Sequence, residues 1–304
     1  IKRNILSFES LETTAAQAWG DREFIVSTDE GFRPVNLANG PDGAMYVVDM
    51  HRGVMQHIIS ATPYYKKGIV DKKLDTLVTA GRILRIKYKN KGLGKIPDFT
   101  NASAADLVGL LESNNGWIRD RAQQIIIYKQ EHQAEPKLKG LIEEGENTIA
   151  AIHALHTMEG LNALSFEFLE KVAASGKPAL TAHALLLLEK HYAIGNIKPF
   201  ERLAIDLMHR NDTIVNLYLA MSLGSWASAS PETFLPILAK LSDTYPDNAV
   251  FQEAVISSLK GQEENFKSYI IKARDNKKTN EIRDSLLVQT IKNKNDGIMN
   301  PIFV

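Results

Sequence analysis

The chain has 304 residues, 44% of them hydrophobic and 24% charged, with 36 Lys plus Arg set against 36 Asp plus Glu. It is long enough to bury a substantial core, and its even charge offers no general basic field to a nucleic acid or an anionic membrane. It holds no cysteine, which excludes disulfides, thiolate catalysis, zinc–cysteine sites and C-x-x-C-H haem attachment within it.

No apolar run reaches the length of a membrane span, and the start "IKRNILSFES" has neither an initiator Met nor a signal-peptide pattern. It reads as mid-protein sequence, so an excised or processed piece of a longer chain is expected. Residues 1–95 carry short apolar runs separated by turn signals: 23–28, 33–38, 44–50, 53–59 and 81–88 are rich in Val, Ile and Tyr and predict strands. Between the second and third stands "NGPDG" (39–43), where Pro41 fixes its own φ and Gly43 can take a positive one, the chemistry of a hairpin turn. The polar tract 61–80 predicts a short helix.

After "KNKGLGKIP" (89–97), which reads as a linker, apolar residues recur at intervals of three and four. Helices are predicted over 103–112, 116–130, 136–144, 147–159, 165–175, 178–192, 198–209, 212–223, 231–243, 247–259, 263–275 and 279–293, giving six pairs. The second helix of each pair starts near Gly116, Asn147, Pro178, Asp212, Asp247 and Thr279, a recurrence of roughly 31 to 35 residues that suits a helix-turn-helix repeat. Asn115, Asn147, Asp212 and Asp247 are N-cap types, and Pro178 suits a first helical turn. One pair cannot bury its own apolar stripe, so the expected fold is mainly α: an α–α solenoid of about six helix pairs behind a small β region, with domains at 1–95 and 96–304. An irregular helical bundle is the plainer alternative.

Two segments together carry a resemblance. Residues 23–86, from "EFIVST" through "FRPVNLANGPDGAMYVVDMHRG" to "GRILRI", resemble the end of the propeller in membrane-bound dehydrogenase-like proteins related to soluble glucose and sorbosone dehydrogenases. "SAADLVGLLESNNGWIRDRAQQIIIYKQ" and "AIHALHTMEGLNAL" are similar to the HEAT-type helical region that follows that propeller. The likeness covers about residues 23–165; beyond that only the repeat character continues. It implies the last blade of a six-bladed quinoprotein-type β-propeller joined to HEAT-like repeats. It also implies an exported, periplasmic or cell-envelope setting, with pyrroloquinoline quinone (PQQ) and Ca²⁺ as cofactors of the parent protein and none in this chain. A complete propeller needs roughly 250 to 350 residues, so the missing blades become an expected partner.

Asp49 and Arg52 follow the strand "AMYVVDM" and are candidate catalytic residues at a propeller mouth, able to accept from and donate to a sugar, a quinone or a Ca²⁺-linked network. The competing reading is an Asp49–Arg52 ion pair that closes the turn. His57 is a third, weaker candidate, read chiefly as packing on Tyr64 and Tyr65; with His51 it would hold a metal only if the chain turned near Gly53 and a third ligand joined. His153 and His156, at i and i+3 beside Glu159, read as structural, as do His183, His191 and His209. In "NNGWIRDRAQQ", Trp117, Arg119, Asp120 and Gln123 are expected to pack the first repeat against the β part. Phosphate-loop, dinucleotide, nucleophile-elbow and H-E-x-x-H motifs do not occur.

The expected function is therefore a structural, protein-binding solenoid packed on the end of a propeller in a sugar-dehydrogenase-like protein, with no activity in this chain alone. One alternative makes Asp49 and Arg52 border the active site of a quinoprotein sugar dehydrogenase. Another gives the solenoid groove a peptide or glycan ligand, with Trp226, Tyr218 and Tyr192 as contact aromatics.

Overall fold

A computed structural model describes residues 1–9, 11–55, 62–90, 92–192 and 195–272. The protein is mainly helical, with a small antiparallel β region at its N-terminal end. It packs into two compact units, Ile1–Lys137 and Leu138–Val304. Texture changes from strand to helix near residue 95, but the first helices are bonded to the strands, so compactness divides the chain later.

In the first unit, β1 (Asn4–Glu9) and β2 (Glu12–Gln17) form a two-stranded hairpin, and β3 (Pro34–Asn39), β4 (Met45–Asp49) and β5 (Arg82–Ile86) form a sheet in the order β3-β4-β5. The turn between β3 and β4 is the one "NGPDG" predicts. Gly43 takes φ +76°, its N–H donates to the Gly40 carbonyl at 3.1 Å, and the Gly40 N–H donates to the Ala44 carbonyl at 2.8 Å. Along β4 the side chains alternate: Val47 and Asp49 are buried, whereas Val48 faces out. β3 is an edge strand exposed along its whole length.

Two expectations fail here. Residues 23–28 form no strand; the N–H groups of Phe24 and Ile25 both donate to the Ile1 carbonyl, which leaves no ladder. Residues 53–55 form none either, and the rest of that run, 56–59, lies outside the described residues. The hairpin β1–β2 was not anticipated. Helix α1 (Pro63–Asp71) and a single 3-10 turn (Leu74–Thr76) occupy the polar tract before β5. Helices α2 (Ala104–Leu110) and α3 (Gly116–Lys129) follow, the first opened by a reciprocal Ser103–Asp106 capping box and the second by the Asn115 side chain. Helix α4 (Glu135–Glu143) starts at the limit of the unit.

The second unit contains α5 (Thr148–Gly160), α6 (Phe166–Ala174), α7 (Pro178–Tyr192), α8 (Ile197–His209), α9 (Thr213–Ala229), α10 (Pro231–Thr244), α11 (Ala249–Ser257) and α12 (Glu263–Lys272). They stack in two rows. Helices α5, α7, α9 and α11 pack successively in one, and α6, α8, α10 and α12 in the other. Helices α5, α7 and α9 of the first row show little apolar asymmetry, whereas α6, α8 and α10 are amphipathic and cover one side of it. Asn147 and Asp212 cap α5 and α9 as expected; α11 is capped by Asn248, one residue beyond the expected Asp247. The centre is aromatic: Trp226 is fully buried and stacks on Phe200 at 3.8 Å between ring centroids, with Phe234 against both. The helix expected at 279–293 lies outside the described residues.

Candidate functional site

Asp49 ends β4, and its place in the ladder sets its chemistry. It lies directly across from Arg82 of β5 and across from Pro34 of β3. Residues opposite one another share a face, so the Arg82 guanidinium meets the Asp49 carboxylate without leaving the sheet. Arg82 Nε donates to Asp49 Oδ2 at 2.8 Å, while the N–H groups of Arg33 (2.7 Å) and His51 (2.9 Å) both donate to Oδ1. Asp49 is completely buried. Burial pushes its carboxyl up, but the two N–H groups and Arg82 outweigh this and hold it below the ordinary carboxylate value.

The network extends one residue further. Arg82 Nη2 donates to Asp29 Oδ2 at 2.9 Å, and His51 Nε2 meets the same oxygen at 2.9 Å. Asp29 Oδ1 accepts from the Gly31 N–H at 2.8 Å; that bond, then those of His51 and Arg82, hold Asp29 below its usual range. His51 reaches this position by adopting a left-handed φ of 43°. Gly53 is packed so closely that a Cβ would collide with the Leu74 carbonyl.

The ion pair expected between Asp49 and Arg52 is not made: strand register gives Asp49 to Arg82 instead. Arg52 is exposed and lines a shallow recess of about 510 Å³ with Val35, Val48, Met50, Arg82 and Ile83. His57 lies outside the described residues. Asp29 and Asp49 are already engaged by N–H donors, so they form a closed structural network and do not fit the oxygen cage of a Ca²⁺ site. Among the described residues no group of three or more His, Asp or Glu could hold a metal ion, and no helix is long and apolar enough to cross a membrane.

Of the expected packing residues of α3, Trp117 sets its ring edge-on to Phe99 at 5.9 Å under the Arg121 guanidinium, and Arg119 Nη1 donates to the Ser113 carbonyl at 2.6 Å, inside its own cap loop. Asp120 and Gln123 have partners of their own. The bond from helix to sheet is made by Asn115, whose Nδ2 donates to the Gly40 carbonyl at 2.9 Å. Its oxygen meanwhile caps α3 by accepting from the Trp117 N–H at 3.0 Å. One side chain thus fastens the hairpin turn to the first helices, helped by the Gly94 N–H donating to the Asp42 carbonyl at 2.9 Å.

In the second unit the structure joins residues that sequence left scattered. His156 and Glu159 on α5 meet His183, Lys190 and His191 on α7. Of the aromatics considered for a groove, only Trp226 is fully buried. Trp226 is core, and Tyr192, half-buried, donates to the Leu164 carbonyl at 2.9 Å; only Tyr218 stays partly open without such a bond.

A family model described as a domain of unknown function, DUF7133, matches residues 1–90, the strand-bearing part of the chain. No curated protein and no solved structure matches it.

Proposed function

We propose that the chain is a structural, protein-binding module: a last-blade-like sheet whose open face is covered by further β structure, carried by a HEAT-like helical stack in an exported sugar-dehydrogenase-like protein. The observation that carries this reading is where apolar side chains are left in water. In residues 1–96 Phe8, Val26, Val35, Leu37, Ile83 and Tyr88 are among many large apolar groups exposed. Beyond residue 96, Tyr128, Ile149, Ile214, Met221 and Val250 complete the set among the described residues. Exposed large apolar groups are thus concentrated in the β part, which presents the kind of surface that marks an interface. The Asp49–Arg82–Asp29–His51 network supports a structural role for the strand end, since both carboxylates are committed to backbone N–H groups and to the Arg82 guanidinium.

The test uses Val35, Leu37, Val48 and Ile83 replaced together by Thr in the intact chain. Because these side chains are exposed, Tm is expected to stay within about 2 °C, while dye binding to apolar surface falls. A large drop in Tm would make them core and defeat the reading. The enzymatic alternative, a quinoprotein dehydrogenase bordered by Asp49 and Arg52, is favoured by the recess that Arg52 lines. It predicts that aldose oxidation by the parent protein, with PQQ, Ca²⁺ and a dye acceptor, is lost in Asp49→Ala or Arg52→Ala; activity unchanged in both would sink it.

A further inference from the structure

His156 Nε2 and His183 Nδ1 face each other at 2.9 Å across α5 and α7, with their rings edge to face at 5.1 Å between centroids. On its other side His156 Nδ1 meets Glu159 Oε2 at 3.1 Å. Glu159 Oε1 accepts from Lys190 Nζ at 2.6 Å and lies 3.2 Å from His191 Nε2. An ionised carboxylate only accepts, so His156 Nδ1 carries a proton and donates it to Glu159. That fixes what the facing nitrogens can do. With His156 neutral, its Nε2 accepts from the His183 Nδ1–H. With His156 charged, its Nε2–H donates to a neutral His183. Both states keep the same heavy atoms in place. A second proton puts N–H against N–H at this distance and sets two like charges side by side.

We propose that His156 and His183 form an acid-operated joint between neighbouring repeats, which holds with no or one added proton and opens when both rings are charged. The surroundings bias the pair this way. Glu159 stabilises the first charge on His156. On α5, His153 lies one turn earlier, and on α7 the Lys190 ammonium and the His191 ring lie beside Glu159. Of the other helices packed on α7, α9 has no charged residue, and α6 carries Glu167, Glu170 and Lys171, the last engaged by Glu143 at 2.7 Å. Glu189 of α7 is turned to α9, accepting from Ser225 Oγ at 2.8 Å. His156 is 30% exposed, so protons reach the pair from solvent.

Burial and the neighbouring His156 hold His183 below the ordinary imidazole value of 6.5. The unfolded chain then takes the proton first. The stability this residue contributes is complete above that value and is lost as pH falls through the lower one. The inference does not depend on the functional reading above.

In the intact, histidine-labelled chain, ring-nitrogen NMR from about pH 8 to 4.5 follows each ring, a range that spans imidazole titration. The pair is expected to take its protons in two steps, the second about tenfold or more weaker than the first, with Tm falling through the second. In His183→Asn the amide can still bond to His156 Nε2 but takes no proton, so its Tm is expected to fall less on the acid side. Independent titration of the two rings, or an equal acid slope in the variant, overturns the proposal. If the variant does not fold, the ring nitrogens of the unaltered chain decide alone.

Discussion

At the scale of single residues, Asp49 organises the β part by being buried with both carboxylate oxygens engaged. Removing it strands two backbone N–H groups and the Arg82 guanidinium. Asp49→Ala is therefore expected to cost about 3 kcal/mol in chemical denaturation, as for a buried pair that loses one partner. Because the folded carboxyl is held below its unfolded value, its contribution is present above that value, 3.8, and is lost as pH falls through the folded one. Gly53→Ala is expected to destabilise by about 1–3 kcal/mol, since the Leu74 carbonyl it meets is backbone and cannot swing away. The sequence singled out Asp49 because it ends an apolar strand with Arg52 close behind. It could not name Arg82, 33 residues away, because that partner follows from the register of β5. Arg52, adjacent in sequence, was the natural guess and points elsewhere.

At the scale of elements, the helices were legible and two of the strands were not, for one physical reason. A helix satisfies its own backbone and announces itself through apolar residues at intervals of three and four and a cap at its start, as Asn147 and Asp212 do. A strand needs a partner, and nothing within "NILSFE" says that "ETTAAQ" will pair with it. The same limit hid the α5–α7 cluster: the repeat interval was visible, but which faces meet depends on packing. That packing shows a recurring contact one turn from the helix ends, with Lys190 donating to Glu159 and Ser225 donating to Glu189. Burial would raise Glu159, but its bonds from Lys190, His156 and His191 bring it down to about 2. Its contribution to the stack is thus expected to persist above pH 4.5, its unfolded value, and to fade in acid towards 2, which Glu159→Gln would abolish in a Tm–pH profile. Next along the row, Gly224 lets α9 approach α11, and a Cβ there would come within 3.1 Å of Ser258 Cα. Gly224→Ala is expected to destabilise despite its better helix propensity, whereas Trp226→Ala should cost about 3–5 kcal/mol for its emptied core site.

At the scale of the whole molecule, two units differ in how completely each buries its own apolar groups. The helical rows surround Phe200, Trp226, Phe234 and Phe251 fully, and the sheet leaves Val35, Leu37 and Ile83 in water. Apolar periodicity along the chain predicted a mainly α protein with a small β region, and the structure has that form. It could not predict that α2 and α3 would belong with the sheet, since that depends on the Asn115 bond to the hairpin turn. The central claim is that the β part is built to be covered by something else while the stack is self-sufficient. Native-state hydrogen exchange on the intact chain tests it most directly. Amides of β3, β4 and β5 are expected to open at much lower free energy than those of α7 and α9; equal protection of sheet and stack would contradict the account.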